Sequence, residues 1–193
     1  MYITIEGIDT AGKSTQIQVL KENYSDAIIT KEPGATKLGV KLREIALFSE
    51  IKSPIAELLI FLADRAEHIA EIVEPNREKL IISDRSVISG IAYADVVGHF
   101  EMEKLIELNR FTCKDIFPQK AVVLKLSREE LTYRLSQKKH DKIEGRGIDY
   151  LLSIQDSLIK ATKALYIELL EIDASLHVDE ITKQIINFIE EKN

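Results

Sequence analysis

One segment near the start of the chain constrains the fold more than any other feature. Residues 7–14 read GIDTAGKS and match the phosphate-binding pattern GxxxxGK[ST]. An apolar strand pattern precedes the segment and a helical pattern follows it, which is the required context. The glycines let the backbone curl so that its N–H groups face phosphate oxygens, and the helix N-terminus adds partial positive charge. The segment therefore predicts a phosphate-binding loop (P-loop).

Two side chains of this loop carry predicted roles. Lys13 should reach the phosphate that is transferred, and the Ser14 hydroxyl should ligate Mg²⁺. The residues expected to surround the phosphates of a bound nucleotide are Gly7, Ile8, Asp9, Thr10, Ala11, Gly12, Lys13, Ser14 and Thr15.

Short apolar segments alternate with helical patterns along the chain. The predicted strands are 2–6, 27–30, 80–84, 121–126 and, less clearly, 169–173. The predicted helices are 13–23, 37–48, 54–73, 101–115, 148–166 and 178–191. Such alternation requires crossover connections, and therefore an α/β fold with a five-stranded parallel sheet and helices on both faces.

Composition narrows the classes of protein that fit. With 193 residues, 45% hydrophobic and 30% charged, the chain suits a single soluble domain covering residues 1–193. No apolar run of about 18 residues is present to span a membrane, and no export signal is visible, so a cytoplasmic location is expected. The net charge of −6 disfavours binding to nucleic acid. The single cysteine, Cys113, rules out an intramolecular disulfide.

Two further segments attract attention. Residues 137–147 read QKKHDKIEGRG and are polar, charged and glycine-containing, so we predict a mobile lid there. In the helix beginning at Pro54, Phe61 and Arg65 fall together beside the apolar stripe, with His68 close by. The stripe itself is predicted to face the core through Ile55, Leu58, Leu59, Leu62, Ala66, Ile69 and Val73.

Six ordered segments make the chain resemble the thymidylate kinases over nearly its whole length. They are EGIDTAGKST (6–15), TKEPGAT (30–36), FLADRAEH (61–68), SDRSVISGIAY (83–93), DKIE (141–144) and IDA (172–174). The resemblance implies a P-loop nucleoside monophosphate kinase fold and transfer of the γ-phosphoryl group of ATP to dTMP, with Mg²⁺ as cofactor. It also implies a homodimer.

The resemblance assigns acceptor-site roles to matching residues. Phe61 would stack on thymine, and Arg65 would hydrogen-bond the carbonyl edge of the base. Asp9 would contact the sugar 3′-hydroxyl. The nucleoside pocket would be lined by Ser89, Gly90 and Tyr93.

Further residues match the catalytic and ATP-binding positions. Arg85 resembles the arginine that contacts the acceptor phosphate, and Asp84 would orient that arginine or a metal-bound water. Both follow a predicted strand end, where ligands bind in open parallel sheets. Arg134 resembles the residue that packs on adenine.

The chain departs from the common family pattern at several positions. Thr10 stands where bacterial relatives usually have glycine and some carry a catalytic arginine, so positive charge must come from elsewhere. We predict that Lys138 and Lys142, with Lys139, supply it from the lid. Other departures are Ala35 for glycine, Lys31 and Lys142 for arginine, and Ala94 for glutamine.

Other functions stay open on sequence grounds. A kinase for deoxynucleosides or for another monophosphate would share most of these features. A P-loop ATPase or GTPase switch is a second alternative, although no NKxD-type guanine motif is present and Asp84-Arg85-Ser86 does not read as a DxxG switch.

Overall fold

A computed structural model of the chain describes residues 1–137 and 147–191. Its strands are β1 (Tyr2–Gly7), β2 (Ile28–Lys31), β3 (Ile81–Asp84), β4 (Lys120–Lys125) and β5 (Glu168–Asp173). Its α-helices are α1 (Lys13–Asn23), α2 (Lys37–Phe48), α3 (Pro54–His68), α4 (Val87–Gly98), α5 (Met102–Cys113), α6 (Arg128–Ser136), α7 (Ile148–Ala164) and α8 (Val178–Glu190). A π-helical turn (Ile69–Val73) and a short 3₁₀ segment (Glu74–Asn76) follow α3.

The five strands form one parallel sheet in the order β2-β3-β1-β4-β5. All six residues of β1 are buried, because the strand lies at the centre of the sheet. Ile5 of β1 pairs with Asp84 of β3, so the two strands end side by side. The loops that follow β1 and β3 therefore meet at the carboxyl edge of the sheet, where ligands bind in such folds.

The predicted fold class is confirmed, and strand and helix ends agree within a few residues. Two helices, α4 and α6, were absent from the sequence prediction. Five residues of α4 are buried, among them Val87, Ile88 and Ile91, so α4 has no single apolar stripe to detect. The helix α6 has nine residues and buries only Leu131 and Leu135. Tertiary packing, rather than periodicity, defines both helices.

The predicted core stripe of α3 is wrong at its N-terminal half. Ile55 and Leu59 are 58% and 55% exposed, respectively. The helix instead buries Leu58 and Leu62 together with three polar residues, Asp64, Arg65 and His68. Polar side chains thus occupy part of the buried face of α3, and two apolar side chains of the predicted stripe are exposed instead. The predicted single helix 54–73 ends as an α-helix at His68 and continues as the π-helical turn.

Within residues 1–137 and 147–191, no helix is both long and apolar enough to cross a bilayer.

Candidate active site

The loop between β1 and α1 has the backbone geometry of a phosphate cradle. Gly12 has φ +94° and Gly7 has φ +150°, both unfavourable for residues with side chains. A Cβ on Gly7 would lie 3.0 Å from the Leu124 carbonyl oxygen and 3.2 Å from Ala11 Cβ. Thr10 also has positive φ, 71°, so a β-branched residue occupies a conformation that favours glycine. The backbone conformations of Gly7 and Gly12 thus allow the loop to curl.

The Lys13 ammonium is held inside this loop. Its side chain is nearly buried, and Nζ donates to the carbonyl oxygens of Gly7 at 2.9 Å and Ile8 at 3.2 Å. Burial, and secondly the Arg85 charge, lower the pKa of Lys13 to about 8. Lys13 can thus present a charged donor to a phosphate near neutral pH.

Arg85, which follows β3, reaches across the sheet edge to the loop after β1. Its NH2 donates to Asp9 Oδ1 at 2.7 Å, and its NH1 donates to the Gly7 carbonyl oxygen and to Ser89 Oγ, each at 3.1 Å. Arg85 itself has φ 68°. The structure therefore brings the predicted acceptor arginine against the predicted phosphate cradle.

The buried side chain of Glu6 is connected to Arg85 through Ser89. Glu6 is 0% exposed and accepts hydrogen bonds from Thr4 Oγ1 (3.0 Å), Ser86 Oγ (2.7 Å) and Ser89 Oγ (2.5 Å). Burial raises the pKa of Glu6, although the hydroxyl donors oppose the shift. Ser89 links Glu6 to Arg85, because the same hydroxyl contacts both side chains.

Arg65 belongs to a second buried network. Its Nε donates to Glu32 Oε2 at 2.8 Å, and Glu32 Oε1 lies 2.8 Å from His68 Nδ1. His68 Nε2 in turn lies 2.7 Å from Thr30 Oγ1. Burial alone would raise the pKa of Glu32, but Arg65 and His68 outweigh it and lower that pKa. At the other end, Arg65 NH1 donates to Asn109 Oδ1 at 2.7 Å.

Two other predicted acceptor-site residues, Gly90 and Tyr93, lie beside the arginines of these networks. Gly90 is so close to Arg65 that a Cβ there would lie 2.3 Å from NH2. The Tyr93 ring lies beside Arg85, whose Cζ is 5.5 Å from the ring centroid. Burial raises the pKa of Tyr93 to about 12, so its hydroxyl is neutral. Phe61 on α3 is half-buried.

Asp84 and Ser14 line a common cleft of about 480 Å³ beside the P-loop, and Lys31 lines it too. Asp84 Oδ1 is buried and has no hydrogen-bond partner within the described part of the chain. Among the described residues no group of three or more His, Cys, Asp or Glu could hold a metal ion. A single carboxylate with a hydroxyl is a donor set that suits a metal also bound by substrate phosphates.

Arg134 of α6 joins three elements. Its NH1 donates to the Thr10 carbonyl oxygen at 2.9 Å, and its NH2 donates to the Ala174 carbonyl oxygen at 2.6 Å. Its Nε pairs with Glu130 at 2.6 Å. Arg134 therefore lies against the P-loop and the segment after β5, and its predicted contact with adenine stays a prediction. Lys138, Lys139 and Lys142, predicted to act from the lid, lie outside the described residues.

Sequence reasoning left several of these side chains without a role, among them Glu6, Glu32, Ser86 and Asn109. A usable signal existed for Glu6, because a carboxylate within a buried strand needs hydrogen-bond donors. No comparable signal marks Asn109, whose partner is 44 positions away in the chain.

A P-loop that faces an arginine from the neighbouring strand end has one site for a triphosphate and one for an anionic acceptor. The fold and site thus define a P-loop kinase of the nucleoside monophosphate kinase class. The family model described as Thymidylate kinase matches residues 5–185, so the chain belongs to the thymidylate kinase family.

Individual relatives agree with this family. The thymidylate kinase of Sulfurimonas denitrificans is 61% identical over 98% of this chain and 99% of its own length. That of Aliarcobacter butzleri is 54% identical over the full length of both chains. The crystal structure of thymidylate kinase from Ehrlichia chaffeensis has the same fold, with a TM-score of 0.76, 23% identity and 98% of each chain covered.

Proposed function

We propose that Lys13, Arg85 and Mg²⁺ together carry out the phosphoryl transfer in this chain. As a member of the thymidylate kinase family, the chain is an ATP-dependent phosphotransferase that converts ATP and dTMP to ADP and dTDP. The observation that carries the proposed division of roles is the 2.7 Å contact from Arg85 to Asp9, which links the acceptor arginine to the donor loop.

The reaction needs little covalent help from the protein, because its transition state is loose and highly charged. Lys13 binds the transferred phosphoryl group, and the P-loop N–H groups bind the neighbouring phosphates. Arg85 orients the phosphate of dTMP toward it. The dTMP phosphate is already ionised, so no general base is needed. Positioning and charge stabilisation thus account for the rate.

Mg²⁺ fits the site through Ser14 and Asp84. The Ser14 hydroxyl is exposed beside the loop, and the unpartnered Asp84 Oδ1 lines the same cleft. When bound, Mg²⁺ would neutralise charge on the ATP oxygens. Asp84 would hold the ion directly or through a water.

We also assign the acceptor pocket to the residues that the sequence indicated. Phe61 would stack on thymine, Arg65 would donate to its O4 carbonyl, and Tyr93 would lie under the sugar. Nε and NH1 of Arg65 are occupied by Glu32 and Asn109, whereas the sole hydrogen bond of NH2 within the described residues is a 3.5 Å contact with the Ser86 carbonyl oxygen. The NH2 group is thus the part of Arg65 best placed to donate to a base.

We also propose that the chain forms a homodimer. Half of the large apolar side chains that are exposed in the described chain lie on α2 and α3, which pack against each other. They are Leu38, Val40, Ile45, Phe48, Ile55 and Leu59. An apolar patch of this kind indicates an interface, and the family resemblance makes a second copy of this chain the occupant.

The decisive experiment measures ADP release by a coupled assay with dTMP, dUMP, dCMP, thymidine and the ribo analogue of dTMP as acceptors. We expect dTMP to have the highest kcat/KM and thymidine to be inactive. In Arg65→Ala the ratio of kcat/KM for dTMP to that for dCMP should fall about tenfold or more. An arginine can donate to the O4 carbonyl of thymine but cannot pair with the amino group of cytosine. Higher activity with thymidine would favour a nucleoside kinase, and hydrolysis indifferent to every acceptor would favour a switch.

The lid assignment of residues 137–147, the lysines within it and the cytoplasmic location stay predictions.

A further inference from the structure

Arg65 is held from two opposite sides. On one side Glu32 accepts from Nε, and Glu32 is itself fixed by His68, which contacts Thr30. On the other side Asn109 of α5 accepts from NH1 at 2.7 Å. Two anchors on different nitrogens define the plane of a guanidinium, whereas one anchor leaves it free to rotate.

Asn109 can serve only as an acceptor toward Arg65. Its side chain is 0% exposed, and its Nδ2 donates to the Leu105 carbonyl oxygen at 2.7 Å. The Nδ2 group must face that carbonyl oxygen, because only Nδ2 can donate to it. The amide oxygen is then left to face the guanidinium, which carries only donors. The helix α5 thus presents a fixed carbonyl to Arg65 from outside the predicted nucleoside pocket.

Gly90 of α4 also constrains Arg65, because it leaves the space that the guanidinium occupies. A Cβ at position 90 would lie 2.3 Å from NH2, 2.8 Å from NH1 and 2.9 Å from Cζ of Arg65. Any side chain at this position would therefore displace the guanidinium that Asn109 holds. The helix α4 thus leaves space for the guanidinium, and α5 supplies the hydrogen bond that holds Arg65 in that space.

We infer that Asn109 is a specificity-determining positioning residue, which with Gly90 fixes the guanidinium plane of Arg65 so that NH2 meets the O4 carbonyl of thymine. Asn109 itself touches no substrate. The inference rests on the proposed base-reading role of Arg65. Without the Asn109 anchor, the guanidinium would rotate about its Glu32 contact, and the pocket would distinguish O4 of thymine from the amino group of cytosine less well.

The test is the ratio of kcat/KM for dTMP to that for dCMP. Asn109→Leu keeps the approximate size but removes the acceptor, and we expect the ratio to fall about tenfold. Asn109→Asp keeps an oxygen toward Arg65 but replaces the donor to the Leu105 carbonyl oxygen by an acceptor, so its ratio should stay closer to that of the wild type than the ratio of Asn109→Leu. Thr162→Val on α7 serves as a matched control, because Thr162 is also 0% exposed and donates to a helical carbonyl oxygen (that of Leu158, 2.7 Å), and within the described residues it makes no hydrogen bond to Arg65 or Asn109. Its ratio should equal that of the wild type.

Gly90→Ala gives an independent reading if Asn109→Leu does not fold. Its added Cβ would displace both NH2 and NH1 of Arg65, so the ratio should again fall. Arg65→Ala separates the two proposals. If Arg65→Ala collapses the ratio while Asn109→Leu or Gly90→Ala keeps it, the positioning role is wrong and the base-reading role stands. If Arg65→Ala also keeps the ratio, both proposals fail.

Discussion

The guanidinium of Arg85 donates to the Asp9 carboxylate at 2.7 Å, although the two residues are 76 positions apart in the chain. Their side chains are 16% and 29% exposed, so water only partly screens the pair. The contact connects the strand end that should bind dTMP to the loop that should bind ATP. Asp9 therefore holds Arg85 against the loop that follows β1.

Asp9→Asn should weaken this connection. Hydrogen bonds to charged groups contribute about 1.5–3 kcal/mol, so we expect kcat/KM for dTMP to fall roughly 10- to 100-fold. Steady-state kinetics with dTMP varied will measure it. Glu107→Gln is the control, because it removes the exposed Lys104–Glu107 pair and should leave activity unchanged. Wild-type kcat/KM in Asp9→Asn would show that the pair does not position Arg85.

Ser89→Ala tests whether the Glu6 network supports Arg85. The Ser89 hydroxyl contacts both Glu6 and Arg85, so its loss should lower kcat/KM for dTMP about tenfold, with a smaller effect on KM for ATP. Ser86→Ala is the matched comparison, since Ser86 also donates to Glu6 but its hydroxyl makes no hydrogen bond to the Arg85 side chain in the described part of the chain. Ser86 is in addition the N-cap of α4, so its removal should lower the free energy of unfolding by about 1 kcal/mol. Equal kinetic losses in both variants would contradict a specific role for Ser89.

The pH dependence should report on Lys13. Its pKa in the folded protein is lowered to about 8 by burial. Raising the pH through about 8 removes the ammonium charge that we propose binds the transferred phosphoryl group, so kcat/KM for ATP should fall on the alkaline side. Lys13→Arg keeps its charge throughout this range, and any remaining activity should lack the alkaline limb. A limb with the same midpoint in that variant would assign it to another group.

Asp84→Asn tests the metal site. The neutral amide binds Mg²⁺ less well than a carboxylate, so the Mg²⁺ concentration at half-maximal activity should rise about tenfold or more. The melting temperature without Mg²⁺ should fall only slightly, because Asp84 Oδ1 has no hydrogen-bond partner in the described chain to lose and only the attraction to the Lys13 and Arg85 charges is removed. An unchanged Mg²⁺ dependence would remove Asp84 from the site.

The apolar face of α2 and α3 predicts the oligomeric state. Phe48 of α2 is 80% exposed, and Phe48→Glu should shift sedimentation from dimer to monomer by burying a charge in the interface. Phe111 of α5 is 85% exposed and lies outside that face, so Phe111→Glu should leave the dimer intact. A wild-type monomer, or dissociation in Phe111→Glu alone, would argue against this face.

The sequence by itself determined the features that depend on local pattern. Strand and helix alternation specified the parallel sheet, because the two periodicities differ and crossovers must be right-handed. The segment 7–14 specified the P-loop, because glycine spacing and the lysine act within a few residues of each other. The resemblance added most of the candidate site residues.

Only the tertiary structure decided which distant side chains meet. Asp9 and Arg85, Glu6 and Ser89, and Arg65 and Asn109 are each more than 40 positions apart. Periodicity on α3 pointed Ile55 and Leu59 inward, but the helix buries Arg65 and His68, because Glu32 and Asn109 offer them partners. A buried polar group needs a matched partner, and that partner is chosen by how the helices pack and not by the residues next to it in the chain.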